Sequence, residues 1–168
     1  TTGSNIQAVK NSEIIIIAVT PQQLNGLLVE IKKSLSAKKH ILISIVSGVT
    51  IKQIRTQVGN NVAVIRAMPN TAIAIRESMT CISADEKDFE KLEIVKNIFN
   101  HLGRSLVIAE SLMIPATALC ACGIAFFLRA VRAASQGGIE IGFHAEEALL
   151  MAAQTAKGAA SMLLKEGK

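Results

Sequence analysis

Three apolar, β-branched runs of the chain each end in a short polar segment. The loops that contain these segments are residues 18–21, 45–48 and 66–71. The third places the carboxamide of Asn70 beside the hydroxyl of Thr71. Ligands of open α/β sheets bind outside the carboxyl ends of the strands, where loop backbones face a nucleotide. The pattern therefore predicts a binding cleft along one sheet edge, although ordinary turns that end strands have the same residue types.

Alternating strands and helices are needed to bring these segments together, and the sequence predicts both. The β-branched and aliphatic runs predict strands near residues 13–19, 40–46, 62–68, 79–83 and 105–108. The first run contains four successive isoleucines and predicts a strand buried on both faces. Helical patterns separate most of the strands, so this part is expected to be α/β with a mainly parallel sheet.

Several helix ends have recognisable signals. Pro21 suits the first turn of a helix that follows the first strand. Thr50 and Gln53 form the pattern of a capping box. Asp85 is a good N-cap for the helix that ends near residue 100, and Gly103 is the expected left-handed residue after it.

The chain changes from alternating elements to helix alone after residue 110. Residues 111–128 carry no formal charge, which meets the length of a membrane span, but Pro115 and many small residues keep their hydropathy modest. Gly137, Gly138 and Gly142 are expected to break this long helix. A second helix rich in small residues follows at about 145–165. Two such helices favour close packing and burial on several sides, so the sequence predicts a partner subunit rather than a membrane.

Charge and cysteine content exclude some functions. The formal net charge is +5, but the basic residues are scattered and do not alternate with aromatic ones, so no nucleic-acid binding is expected. Cys120 and Cys122 are too close for an easy mutual disulfide, and no His or Cys cluster completes a zinc set. Together with Cys81 they are expected to be free, buried thiols in a reducing compartment, the cytoplasm, with no metal site.

Several stretches of the chain together resemble pyrroline-5-carboxylate reductase. They are Ala18-Val19-Thr20-Pro21, Val46-Ser47-Gly48-Val49-Thr50-Ile51, residues 64–71 with Arg76-Glu77, and Gly137-Gly138 through Gly142. The resemblance covers nearly the whole chain in order, and its Met-Pro-Asn-Thr block is fairly specific. It implies a partial Rossmann domain at residues 1–109, then a helical dimerisation domain at residues 110–168 that interleaves with a partner in a homodimer or a larger ring.

The resemblance also implies a set of site residues. Those expected to line NADPH or NADH are Asn5, Ala18, Val19, Thr20, Pro21, Ile45, Val46, Ser47, Asn70 and Thr71. Asn5 would lie by the adenosine ribose and residues 45–47 near the nicotinamide. Glu110 matches a position near the bound substrate, where its charge would stabilise an iminium, although a helix start at Ser111 would also favour an acid there. No residue is assigned as catalytic.

The chain departs from the family pattern at both ends and at two internal sites. The glycine-rich phosphate loop expected upstream and the Ser/Thr- and Gly-rich substrate loop expected downstream are absent from this sequence. Thr20 stands where the family commonly has Lys, and Cys120-Ala121-Cys122 stands where many members have Ser-Gly-Ser. The chain is therefore expected to be an interior portion that is inactive alone.

The implied reaction is hydride transfer from NAD(P)H to the imine of 1-pyrroline-5-carboxylate, which gives L-proline and belongs to proline biosynthesis. One alternative is a related β-hydroxyacid-type dehydrogenase. Such an enzyme needs a catalytic Lys on the helix after the sheet, and the first Lys after Glu110 is Lys157, deep in the last helix. The other alternative is a non-catalytic dimerising module, which nicotinamide binding would exclude.

Overall fold

The computed structural model describes residues 1–166 and contains one five-stranded sheet. The strands are β1 (Ile14–Ile17), β2 (Ile41–Ser44), β3 (Ala63–Met68), β4 (Ser78–Ala84) and β5 (Gly103–Val107). They lie side by side in chain order. β1, β2 and β3 are parallel to one another, β4 is antiparallel to β3, and β5 is parallel to β4. The predicted five strands and mainly parallel sheet are confirmed.

Helices lie between most of the strands and make up most of the described chain after the sheet. They are α1 (Asn5–Lys10), α2 (Pro21–Ile31), α3 (Ile51–Val58), α4 (Leu92–Asn100), α5 (Met113–Ala116), α6 (Gly123–Glu140) and α7 (Ala145–Glu166). Shorter 3₁₀ turns lie at Lys32–Ser34, Thr71–Ile75, Glu86–Lys91 and Glu110–Leu112, and a π-helical turn lies at Thr117–Ala121. The capping box at the start of α3 is confirmed, because Thr50 Oγ1 accepts from Gln53 N and Gln53 Oε1 accepts from Thr50 N.

The central strands are covered by helices on both faces. Successive side chains of a strand point to opposite faces. Leu42 and Val64 pack with α2 and α3, whereas Ile43 and Ile65 pack with α4. All residues of β2 and β3 are buried, so these two strands form the rigid base of the loops that follow them.

The expectation that the first strand is buried on both faces is wrong. Ile16 is 46% exposed, and Ile14 and Ile15 are only partly buried. β1 lies at the edge of the described sheet with β2 as its one neighbour. An edge strand is covered less completely than a central one, which explains the exposed isoleucine.

Asp85 does not cap the helix as expected. It precedes the 3₁₀ turn Glu86–Lys91 and makes no side-chain capping bond. Its Oδ2 accepts instead from Nε of Arg55 at 2.8 Å, and Asp88 pairs with the same guanidinium. An ion pair to a buried arginine outweighs a hydrogen bond to an exposed helix end, because the arginine charge needs a partner away from water.

Gly137 and Gly138 do not break the long helix, since both lie inside α6. A Cβ at Gly138 would lie 3.0 Å from Cβ of Ala148 in α7. The glycine therefore allows α6 and α7 to pack closely. The helix ends at Glu140 and is followed by Gly142 with a φ of +112°.

The chain divides into two compact units, Thr1–Ala121 and Cys122–Lys168. The sequence placed a domain boundary earlier, after residue 109, and that boundary stays a prediction. The first unit holds the sheet and the second holds α6 and α7. Many large apolar side chains of the second unit are exposed, among them Phe126, Phe127, Leu149, Leu150, Met162 and Leu163.

Candidate functional site

The three predicted segments lie at the edge of the sheet that is formed by the carboxyl ends of β1, β2 and β3. The pairing register aligns Ile17 with Ser44 and Ser44 with Arg66. Because the three strands are parallel neighbours, the segments that follow them leave the sheet at the same edge. The structure thus places the three predicted loops together, which is the arrangement that a nucleotide cleft requires.

The loop after β1 shares a cavity with the first helix. Asn5, Ala18 and Val19 line this cavity, which has a volume of about 360 Å³ and also borders the open side of β1. Asn5 Nδ2 donates to Glu30 Oε2 at 3.0 Å, which orients the carboxamide. Thr20 is the N-cap of α2, and its backbone N and its hydroxyl both donate to Gln23 Oε1. The structure therefore brings Asn5 together with the first loop, although they are distant in sequence.

The loop after β2 presents mainly backbone. Ile45 N donates to Ile17 O at 3.1 Å, which ties this loop to the end of β1. Val46 is buried in the core, so a ligand at this edge meets its backbone and not its side chain. Ser47 and Gly48 are exposed, and Gly48 has a φ of +75°. A left-handed glycine allows close approach of a ligand to the chain.

The loop after β3 is held by the side chain of Asn70. Its Nδ2 donates to the carbonyl oxygen of Cys120 at 3.1 Å, and its Oδ1 accepts from Ala72 N at 3.1 Å. Asn70 N donates to the hydroxyl of Ser78. Asn70 is therefore mainly an anchor of the loop, whereas Thr71 is exposed beside it. No local sequence signal indicates the bond to Cys120, which is distant in sequence.

Glu110 lies between the second and third loops. Its Oε1 accepts from the backbone N of Ile51 at 2.6 Å and from Nη1 of Arg66 at 3.1 Å. Arg66 is 4% exposed and Glu110 is 30% exposed. The sequence reasoning missed Arg66, although a lone arginine inside the apolar β3 run was an available signal, because a buried guanidinium needs an acidic partner.

Two cysteines lie beneath the third loop. Sγ of Cys81 in β4 is 3.9 Å from Sγ of Cys120. Burial, with the neighbouring Cys120 thiol, raises the pKa of the Cys81 thiol to about 11. The three cysteines are free, but the expectation of buried thiols is wrong for Cys122, which is exposed.

Known proteins resemble the chain at both ends and along its length. Residues 1–48 match the family "NADP oxidoreductase coenzyme F420-dependent", and residues 110–168 match "Pyrroline-5-carboxylate reductase dimerisation". Pyrroline-5-carboxylate reductase 1 of Dictyostelium discoideum is 52% identical over 98% of this chain and 32% of its own length. Residues 110–168 thus match the dimerisation domain of pyrroline-5-carboxylate reductases, and nearly the whole chain is similar to these enzymes.

Solved structures of the family have the same fold. The pyrroline-5-carboxylate reductase of Coxiella burnetii superposes with a TM-score of 0.91 at 30% identity and covers 98% of this chain and 62% of the other. The Plasmodium falciparum enzyme, solved with NADP bound, gives 0.87 at 28% identity, with the same two coverages. The chain thus spans between about a third and three fifths of the length of these pyrroline-5-carboxylate reductases.

The dimerisation match covers the apolar helical region of the chain. The stretch Glu110–Glu140 is long and apolar enough to cross a membrane by length and composition, so the expectation of modest hydropathy is wrong. It begins where the pyrroline-5-carboxylate reductase dimerisation match begins and lies wholly within it. Exposed apolar side chains are typical of a region that contacts another protein surface.

Proposed function

We propose that the protein to which this chain belongs reduces 1-pyrroline-5-carboxylate to L-proline with NADPH or NADH. The convergence of three strand-ending loops on one sheet edge carries the proposal. Two similarities support it: the reductase of Dictyostelium discoideum, which is 52% identical, and the Plasmodium falciparum structure, which holds NADP.

The residues at this edge fit a dinucleotide. The cavity beside Asn5 is lined mostly by apolar side chains and has one oriented carboxamide, a suitable combination for a ribose and an adenine. Ser47 and Gly48 offer exposed backbone for the other half of the cofactor. When bound, the nicotinamide supplies the hydride, and the chain supplies binding and alignment. Ala18, Val19, Thr20, Pro21, Ile45, Val46, Asn70 and Thr71 are proposed as further parts of this surface.

Two glycines provide a matched test of the cleft. Gly48 and Gly59 are both exposed with positive φ, +75° and +88°, and have open space around them. Gly48 lies at the proposed cleft. Gly59 follows α3 and precedes β3, so it lies at the opposite edge, where the parallel strands begin. Alanine at either site is expected to cost about 1 kcal/mol of stability, because left-handed backbone disfavours a Cβ.

Only the change at Gly48 is expected to weaken cofactor binding, by about tenfold. Titration of NADPH and NADH into full-length wild type, Gly48→Ala and Gly59→Ala, followed by nicotinamide fluorescence, measures this. If Gly48→Ala and Gly59→Ala bind the cofactor with equal affinity, the cofactor does not bind at the loop that contains Gly48. Absence of binding to the wild type at millimolar cofactor would favour the non-catalytic dimerising module.

We further propose that the protein is a homodimer and that its dimers assemble into a larger ring. The dimerisation match at residues 110–168 supports this, as does an apolar groove of about 620 Å³ between α6 and α7. We also propose the cytoplasm as its location, because three unpaired thiols suit a reducing compartment. Cell fractionation tests the location.

A further inference from the structure

Glu110 connects two loops of the proposed cofactor cleft through one carboxylate oxygen. Oε1 accepts from Ile51 N at 2.6 Å and from Arg66 Nη1 at 3.1 Å. Ile51 is the first residue of α3, directly after the loop that follows β2. Arg66 lies near the end of β3, just before the loop that contains Asn70. One side chain thus contacts the backbone directly after the second loop and a strand residue just before the third loop.

The bond to Ile51 fixes the start of α3. The first backbone N–H groups of a helix lack partners within the helix, and a negative charge there is favoured by the helix dipole. The hydroxyl of Thr50 already accepts from Gln53 N, so Glu110 satisfies a second group of the same turn. The beginning of α3, and with it the backbone at Ser47 and Gly48, is held in place.

The ion pair fixes the end of β3. Arg66 is 4% exposed in a central strand, and its register partner in β2 is Ser44. A charge buried this deeply requires a counter-charge, and Glu110 supplies it. Loss of the carboxylate would leave the guanidinium to move towards water or another acceptor, which would displace the strand end and the loop at Asn70.

We infer that Glu110 is a positioning residue for the cofactor rather than a contact of the substrate. Its carboxylate is engaged by α3 and β3, so it acts on the dinucleotide through the loops that these elements carry. The inference rests on the proposed function and assigns Glu110 a different role from the one that the family resemblance implies.

Four variants of the full-length protein test the inference. Glu110→Ala removes both bonds, whereas Glu110→Gln keeps an acceptor for Ile51 N but loses the charge opposite Arg66. Glu110→Gln with Arg66→Met removes both charges and is expected to recover part of the loss. Asp85→Asn is the control, because it weakens one of the two ion pairs of Arg55 in α3, and Asp85 makes no described bond to Ile51 or Arg66.

The measurements are the KM for NADPH, the KM for 1-pyrroline-5-carboxylate, and the Tm. We expect Glu110→Ala to raise the cofactor KM about tenfold, as loss of a charge-assisted hydrogen bond does, with Glu110→Gln in between. The substrate KM should change less than about twofold. Asp85→Asn should lower the Tm with no change in cofactor KM.

Four other results have distinct meanings. A raised substrate KM with normal cofactor KM in Glu110→Gln makes Glu110 a substrate contact and overturns the inference. A lower Tm with both KM values unchanged makes it a structural brace alone, which also overturns it. If Glu110→Ala does not fold, Glu110→Gln and the double variant decide. Failure of the wild type to bind or oxidise NADPH refutes the proposed function itself.

Discussion

Buried charged side chains organise the first unit, and these were the hardest residues to place from sequence. Arg55 is 7% exposed, and its guanidinium bonds Asp85, Asp88 and the carbonyl oxygens of residues 60 and 62. The local capping box of Thr50 and Gln53 was predicted, because its partners are three residues apart. The acidic partners of Arg55 and Arg66 are 30 to 44 residues distant, and only the folded chain brings them near.

The Cys81 thiol provides a pH-dependent prediction at the residue scale. Its pKa is raised to about 11 by burial and by Cys120. The folded state therefore holds the proton more tightly than the unfolded state, whose value is 9.0. The stability contributed by this thiol is present below about pH 9 and is lost as the pH rises towards 11.

Thiol labelling followed by mass spectrometry measures this shift. The thiolate is the reactive form, so the rate for Cys81 should still be rising at pH 10 in the folded protein and should level off above pH 9 in urea. Cys120→Ala should move the folded profile to lower pH, because it removes the neighbouring thiol while much of the burial remains. A folded profile that levels off near pH 9 would contradict the proposed burial effect.

At the scale of elements, composition predicted which residues form strands but not how the strands pair. The β-branched runs were long enough to mark all five strands. The antiparallel direction of β4 was not specified, yet residues 69–77 are too few for the crossover of about a dozen residues that a parallel pair needs. Helix α1 was missed because its six residues, Asn5–Lys10, have only one buried side chain and hence almost no apolar periodicity.

Alanine is expected to have opposite effects on the free energy of unfolding at Gly103 and at Gly26. Gly103 begins β5 with a φ of +140°, and a Cβ there would lie 2.1 Å from the carbonyl oxygen of Ser78. Backbone atoms cannot give way, so Gly103→Ala should lower the free energy of unfolding by about 3 kcal/mol or more. Gly26 lies exposed inside α2 with open space, so Gly26→Ala should raise it by about 0.5–1 kcal/mol.

Urea unfolding of the two variants beside the wild type measures these changes. The sheet register is tested by Gly103→Ala, because the clash exists only if Gly103 pairs with Ser78. A neutral effect at Gly103 would mean that β4 and β5 are paired differently. Gly26→Ala is the control. A rise in its free energy of unfolding shows that a change from glycine to alanine does not by itself destabilise the chain.

At the scale of the whole molecule, the second unit has more apolar surface than its own two helices bury. The groove between α6 and α7 is lined by small and apolar residues, among them Ala134, Gly138 and Met151. Small residues permit close approach of helices, as Gly138 does against Ala148. The sequence indicated this surface by its lack of charge, but it did not show that Gly137 and Gly138 continue the helix.

A charge placed in this groove tests whether a second copy fills it. Met151→Glu puts a carboxylate into the groove, whereas Gln154→Glu puts the same group on an exposed part of α7 outside it. Burying an unpaired carboxylate costs several kcal/mol, so Met151→Glu should weaken dimerisation by at least about 100-fold.

Light scattering after size exclusion should then give a one-chain mass for Met151→Glu at low micromolar concentration. Wild type and Gln154→Glu should keep a mass of two chains or a multiple of it. A two-chain mass for Met151→Glu would place the dimer contact elsewhere, and a wild type that stays in solution only with detergent would favour the membrane.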